Sequence, residues 1–133
     1  MIQYCLDSSV IVNYLRGKVD QVTFINELDG ELVASVICLA ELYDGALRAR
    51  NVNVARQGVE KFFLGLDAIY PIDERIARAF GQLRADLRTK GNVLADMDLL
   101  IAATCLAYNL ILVTANIRHF SRVKNLEILD SRS

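Results

Sequence analysis

Carboxylate and polar side chains lie at the ends of several hydrophobic runs in this 133-residue chain. They form four groups along the sequence: Asp7 with Ser8 and Ser9, Glu41, Asp96 with Asp98, and Thr114 with Asn116. If folding brings the carboxylates together, their oxygens form a negatively charged pocket that suits a hard divalent cation such as Mg²⁺ or Mn²⁺. A cation held in this way indicates metal-dependent chemistry on phosphodiester bonds.

The elements that must position these side chains alternate along the chain. Short apolar runs predict β-strands at 2–6, 32–34, 68–70, 110–113 and 126–129. Apolar positions at helical spacing predict a helix between Ser8 and Gly17 and further helices at about 19–28, 37–50, 54–66, 74–90 and 96–108. This alternation predicts an α/β fold, with one domain over residues 1–133 and a parallel sheet flanked by helices on both faces.

The polar groups fall where such a fold places its functional sites. In open parallel sheets, ligands bind beyond the carboxyl ends of the strands. Asp7 ends the first predicted strand, the second strand leads into the helix of Glu41, and Thr114 follows the strand at 110–113. Asp98 lies in the first turn of the preceding helix. We therefore expect these side chains to gather at one edge of the sheet.

Composition excludes several other classes of protein. The cysteines number three, which argues against a disulfide framework, and we expect buried free thiols. His119 is the only histidine, so a Cys–His nucleophile is disfavoured. Residues 1–7 lack the features of a secretory signal, and the longest apolar stretch, 99–113, is shorter than the ~20 residues of a membrane span. We therefore expect a cytoplasmic protein without membrane association.

Four motifs in this chain resemble, in order and spacing, those of the PIN-domain nucleases. The motifs are Leu6-Asp7-Ser8-Ser9, Leu39-Ala40-Glu41-Leu42 with Gly45, Asp98-Leu99-Leu100-Ile101-Ala102-Ala103-Thr104, and Leu112-Val113-Thr114 followed by Asn116 and Phe120. Within that family the chain is most similar to the VapC-type toxins of toxin–antitoxin pairs. The resemblance implies an acidic Mg²⁺ or Mn²⁺ site, endonucleolytic cleavage of RNA, neutralisation by a cognate antitoxin protein, and a homodimer.

The resemblance also implies roles for individual residues. Asp7, Glu41 and Asp98 match the catalytic acids of the family. Asn116 stands where many members carry a fourth acid, so this chain departs from the family pattern there. We expect Asp7 and Asp98 to hold the principal metal and Glu41 to bind a second metal or orient the attacking water. Asn116 and Asp96 are expected in the outer shell, although residues two apart on a helix do not share a face.

Three further residues are candidates for binding the RNA substrate. Thr114 could hydrogen-bond a carboxylate or the scissile phosphate, or simply satisfy the end of its strand. Arg118 and Arg122 follow it in a basic segment, and phosphate-binding arginines suit the neighbourhood of an acidic nuclease site. His119 could contact RNA, but we expect it to be a partly exposed loop residue.

Plainer readings stay open for the acidic residues. Asp7 and Asp96 could serve only as helix N-caps, and Ser8 or Ser9 could cap the first helix equally well. Glu41 could face solvent beside a basic residue.

Other functional classes also stay open at this point. One is a receiver-like signalling domain, although no lysine directly follows Val113 as that class requires. Another is a PIN-like domain that binds RNA or protein without cutting, which the amide at Asn116 allows. A third is a DNA-directed nuclease of the same superfamily.

Overall fold

The computed structural model describes residues 1–132. Within this range the chain forms five strands and seven helices. The strands are β1 (Gln3–Leu6), β2 (Glu31–Ser35), β3 (Ala68–Tyr70), β4 (Ile111–Thr114) and β5 (Ile128–Asp130). The helices are α1 (Ser8–Leu15), α2 (Val19–Asn26), α3 (Val36–Leu47), α4 (Val52–Leu64), α5 (Glu74–Thr89), α6 (Asp96–Tyr108) and α7 (Ile117–Phe120). Ser133, which the predicted domain includes, lies outside the described residues.

The predicted elements are present, with ends that differ by a few residues. The predictions for β3 and α6 match the observed bounds, whereas α3 ends at Leu47, three residues before the predicted end. One element was not predicted: α7 is a single turn of four residues directly after the Thr114–Asn116 motif. A helix this short buries only Phe120 and carries no periodic apolar pattern that a sequence could reveal.

The five strands form one parallel sheet in the order β3-β2-β1-β4-β5. Every pairing is parallel, as the alternation of strands and helices predicted. β2 and β3 lie in succession on one side of β1, and β4 and β5 lie in succession on its other side. The order therefore reverses between β1 and β4, and in parallel sheets the crevice beyond such a reversal is where ligands bind.

Helices cover both faces of this sheet. Parallel strands in one sheet are joined by right-handed crossovers, so helices that connect β1 to β3 and helices that connect β3 to β4 pack on opposite faces. Burial on both sides explains why the central strands are apolar without alternation: Cys5, Leu6, Leu112 and Val113 have no solvent exposure. The predicted fold class is confirmed.

The helix starts decide two questions about N-caps that the sequence left open. Asp7, rather than Ser8 or Ser9, is the N-cap of α1, and its side chain accepts a hydrogen bond from the Ser8 backbone N–H. Asp96 is not the N-cap of α6, since Ala95 occupies that position without any side-chain hydrogen bond. Asp96 and Asp98 both lie inside the first turn, where the helix dipole favours negative charge.

Two predictions from composition can be compared with the structure. The three cysteines are free and buried, as expected. Across residues 1–132, no helix combines the length and apolar character needed to cross a membrane.

Candidate functional site

Asp7 lies at the floor of the crevice between β1 and β4. It follows β1 directly, its backbone N–H donates to the Val113 carbonyl at 2.9 Å, and the residue is only 3% exposed. Its Oδ1 accepts from the Ser8 N–H at 2.8 Å. Its Oδ2 accepts from the Ser9 hydroxyl at 3.0 Å and from the Thr114 hydroxyl at 2.8 Å.

The Thr114 hydroxyl has a defined hydrogen-bonding direction. Its Oγ1 accepts the Asn116 backbone N–H at 2.9 Å, so its single proton is free to donate to Asp7. Thr114 is fully buried at the end of β4, where the strand pairs with β1. The two central strands therefore fix the orientation of the Asp7 carboxylate. This carboxylate caps α1 and also accepts the hydrogen bond from Thr114, so capping is not its only contact.

Glu41 approaches this crevice from α3. Its Oε1 is buried and has no hydrogen-bond partner within the described residues. Burial raises the pKa of Glu41, the Ser8 side chain offsets part of that increase, and the charges of Asp7 and Asp98 raise it further. A buried carboxylate oxygen without a donor is costly, and a bound cation would relieve that cost. This arrangement does not support the plainer reading of Glu41 as a solvent-facing charge.

Asp98 enters from the first turn of α6, and its side chain is 21% exposed. Its Oδ2 lies 3.4 Å from Nδ1 of His119. Burial raises the pKa of Asp98, the His119 charge lowers it, and the Asp7 charge raises it. The structure thus brings Asp98 into electrostatic contact with Asp7, 91 positions earlier in the sequence.

The donor set and its electrostatics fit a hard divalent cation. All three acids offer oxygen ligands, and one of those oxygens is buried without a partner among the described residues. The charges of Asp7 and Asp98 raise the pKa of Glu41, and the charge of Asp7 raises the pKa of Asp98. Yet among residues 1–132 no three histidine, cysteine or carboxylate side chains form a ready-made metal cluster. The three acids are therefore close enough to act on each other electrostatically, as the pKa shifts of Glu41 and Asp98 show, but their side chains do not converge on one point.

Asp96 is turned away from these acids. Its side chain forms an ion pair with Arg84 of α5 and is 71% exposed. The expected outer-shell position therefore finds no support in the geometry, because residues two positions apart on a helix, such as Asp96 and Asp98, do not share a face.

The segment after β4 carries the remaining predicted residues. Asn116 is exposed and precedes α7 without capping it through its side chain. Arg118 is exposed in α7. Arg122 is also exposed, and its Nη1 donates to the Val93 carbonyl at 2.9 Å, which anchors its guanidinium to the loop before α6. Of the two arginines, only Arg118 has a side chain without a partner in the described chain.

Three residues make contacts in the site that the sequence did not predict. Ser9 donates to Asp7, and its oxygen accepts the Ala115 N–H at 3.4 Å, which links α1 to the segment after β4. Ser8 acts on Glu41, and His119 contacts Asp98. The contacts of the two serines with the acidic site could have been predicted, because both residues directly follow Asp7 in the sequence. His119 is partly exposed, as expected, but it lies in α7 and not in a loop. Its contact with Asp98 depends on this helix, which the sequence pattern did not reveal.

Comparisons with known proteins bear on the family of this chain. The model of the PIN domain family matches residues 4–126. Ribonuclease VapC2 of Haemophilus influenzae is 30% identical over 128 residues, covering 92% of this chain and 93% of that protein. The tRNA(fMet)-specific endonuclease VapC of Shigella flexneri is 29% identical over 131 residues, and the alignment covers 98% of this chain and 98% of that protein.

A solved structure gives the same result for the fold. The structure of VapBC2 from Rickettsia felis bound to a DNA fragment from their promoter contains a chain that matches this one with a TM-score of 0.90 at 27% identity. The match covers 97% of this chain and 98% of that chain. The similarity therefore extends over the whole sheet and the helices that carry the acids.

Proposed function

Because this chain belongs to the PIN-domain family, we propose that it is a Mg²⁺- or Mn²⁺-dependent endoribonuclease that acts as the toxin of a toxin–antitoxin pair. The observation that carries the proposal is the crevice between β1 and β4, where Asp7 is held by Thr114 and faces the charges of Glu41 and Asp98. Relatives named as VapC ribonucleases, similar over nearly their full length, support the assignment to RNA.

Asp7, Asp98 and Glu41 are the residues that would hold the metal. A bound Mg²⁺ or Mn²⁺ supplies a water of lowered pKa and neutralises negative charge on the phosphate. Ser9 and Thr114 hold the Asp7 carboxylate by hydrogen bonds, and His119 lies 3.4 Å from the carboxylate of Asp98.

Glu41 has a second role in the proposal. Its unpartnered Oε1 is the acceptor that we assign to the attacking water. A carboxyl group with a raised pKa is a better general base than an ordinary one, because the optimum lies near the operating pH.

Residues at the edge of the crevice would bind the substrate. Arg118, exposed on α7, is assigned to an RNA phosphate, and the amide oxygen of Asn116 to an outer-shell water. Thr114 acts through Asp7. Asp96 is left out of the metal set because it pairs with Arg84.

The proposed partners follow the relatives. Solved neighbours include VapBC complexes, which supports a cognate antitoxin as the inhibitor. A basic antitoxin side chain that enters the crevice would neutralise the acids in place of the cation. A homodimer is proposed as well, and analytical ultracentrifugation would test it: the expected mass is twice that of the 14.9 kDa chain, and a monomer at all concentrations would contradict it.

The test of function is cleavage of total cellular RNA by the purified protein with Mg²⁺, with Mn²⁺ and with a chelator. We expect discrete fragments that need metal and disappear in Asp98→Asn, and the fragment ends would identify the target. Asp44→Asn is the matched control, because Asp44 lies one turn after Glu41 but is exposed and paired with Arg48.

Two results would contradict the proposal. Cleavage by Asp98→Asn at the wild-type rate would show that Asp98 is not part of the catalytic site. RNA binding without cleavage, by a wild-type protein that binds metal, would instead favour a non-catalytic PIN-like RNA-binding domain.

A further inference from the structure

A second cleft lies beside the acidic crevice, on the other side of the first turn of α6. Its volume is about 550 Å³, within the range of small-ligand sites. It is bounded by the last turns of α5, the loop 91–95 and the start of α6. None of the acids discussed above except Asp96 borders it.

The floor and the rim of this cleft differ in chemistry. Leu87, Leu94 and Leu99 line it and are at most 4% exposed, so they form an apolar floor. Arg84 and Arg88 lie on its rim, one helical turn apart and therefore on one face of α5. An apolar floor beside guanidinium groups is complementary to a nucleotide, whose base is flat and weakly polar and whose phosphate is anionic.

The cleft is also placed where substrate would pass. Asp96 on its rim and Asp98 in the crevice are two residues apart, which is about 3 Å along the helix axis. Arg122 ties its side chain to Val93, a lining residue of the cleft. The loop 91–95 on one side of the cleft is thus attached to the segment that follows α7. His119, which contacts Asp98 in the acidic site, lies in α7.

We propose that this cleft binds a nucleotide of single-stranded RNA that flanks the scissile bond, with Arg84 and Arg88 as the phosphate-binding residues. The proposal rests on the ribonuclease function above and extends it to residues that the acidic motifs do not include. Asp96 then has a defined role: it holds the Arg84 guanidinium, which also lies 5.0 Å above the Phe80 ring, and so lowers its attraction for phosphate.

The two arginines are held differently in this cleft. Arg88 is exposed, and within residues 1–132 its guanidinium has no hydrogen bond or ion pair. Arg84 is paired with Asp96, and its side chain is 37% exposed. Arg88 is therefore available to the RNA at once, whereas Arg84 must exchange a carboxylate for a phosphate.

The test measures binding of a fluorescein-labelled, unstructured RNA oligonucleotide by fluorescence anisotropy across a salt series. Asp98→Asn serves as the background protein, so that binding is measured without cleavage. Adding Arg88→Gln should weaken binding and lower the slope of log K against log salt concentration by about 0.7, the value for one lost phosphate contact on a single strand. Adding Arg84→Gln should act in the same direction, and Asp96→Asn should tighten binding because it frees Arg84.

Arg78→Gln is the matched control. Arg78 is also on α5, is 79% exposed and pairs with Glu74, but it does not border the cleft. It should leave the salt slope unchanged.

The possible results distinguish a failure of the proposed RNA-binding cleft from a failure of the proposed ribonuclease function. If Arg88→Gln and Arg84→Gln keep the slope of the Arg78→Gln control, the cleft lies off the RNA path and the inference is overturned, while metal-dependent cleavage by the wild type still stands. Weaker RNA binding by Asp96→Asn would overturn the role given to that carboxylate. If the background protein binds no RNA even at low salt, the inference about the cleft is overturned, and the ribonuclease function is decided separately by wild-type cleavage of total cellular RNA.

Discussion

At the residue scale, the Thr114 hydroxyl links the two central strands to the acidic site. Thr114→Val keeps the shape of this buried side chain but removes the donor to Asp7 Oδ2. We expect a stability loss of about 1–3 kcal/mol, because a buried acceptor loses a partner, and a reduced rate of RNA cleavage. Chemical denaturation and the cleavage assay would measure these effects.

Thr104→Val is the control for that change. Thr104 is equally buried, but its hydroxyl donates to the Leu100 carbonyl inside α6 and touches no acid. We expect the Thr104 variant to keep its cleavage rate. Equal cleavage by the two variants would show that Thr114 does not position Asp7.

The raised pKa of Glu41 gives a prediction about pH. A carboxyl group whose pKa is higher in the folded than in the unfolded state binds more protons when folded, so stability falls as pH rises through that interval. The interval begins near the unfolded value, at roughly pH 4. In metal-free protein, Glu41→Gln should therefore be more stable than wild type at pH 7 and gain little at lower pH.

Urea denaturation with chelator present, at several pH values, would measure this difference. Asp44→Asn again provides the comparison for an exposed acid of the same helix. A stability difference between Glu41→Gln and wild type that does not grow with pH would contradict the burial of this charge.

Single residues also show how far the sequence could predict the site. Motif order singled out Asp7, Glu41 and Asp98, and the fold places them in mutual electrostatic contact. The motif selected Asp98, but it left open whether Asp96 adds to the outer shell of the metal site or only starts the helix. Only the neighbouring helix α5, through Arg84, decides which way Asp96 points.

At the scale of elements, the turn that leads into β2 sets how β1 and β2 approach each other. A Cβ built on Gly30 would lie 2.5 Å from the Ile2 carbonyl oxygen, which belongs to the backbone and cannot move aside cheaply. We expect Gly30→Ala to destabilise the fold by about 1–3 kcal/mol, the usual cost of overpacking. Thermal or chemical unfolding would measure the loss.

Gly81→Ala is the comparison for that element. Gly81 lies in α5, and a Cβ there meets nothing within 4 Å. Alanine should therefore stabilise the helix by about 0.5–1 kcal/mol. If Gly30→Ala were as stable as Gly81→Ala, the claim that Gly30 packs too closely against the Ile2 carbonyl to accept a side chain would be contradicted.

Elements differ in how well the sequence predicts them, and the reason is physical. Strands β1 and β4 are continuous apolar runs because they are buried on both faces, and α5 has a clear apolar stripe ending in buried Leu83 and Leu87. By contrast, α7 is one turn long, and the fold fixes it through the burial of Phe120. The contact between His119 and Asp98 depends on that turn, so it could not be predicted.

At the scale of the whole molecule, the strand order creates the site. Alternating strands and helices predicted a parallel sheet, but the sequence did not specify the order β3-β2-β1-β4-β5. The order arises from long-range packing, in which β4 returns to the free edge of β1. This return places Thr114 beside Asp7, although the two residues are 107 positions apart.

The central claim is that acids from β1, α3 and α6 bind one divalent cation site for RNA cleavage. Calorimetric titration of Mn²⁺ into wild type, Asp98→Asn and Asp44→Asn tests it most directly. We predict that wild type and Asp44→Asn bind with similar affinity and that Asp98→Asn binds at least about tenfold more weakly, with circular dichroism confirming that each variant is folded. Equal Mn²⁺ affinity in folded Asp98→Asn and wild type would contradict the metal site on which the proposed function depends.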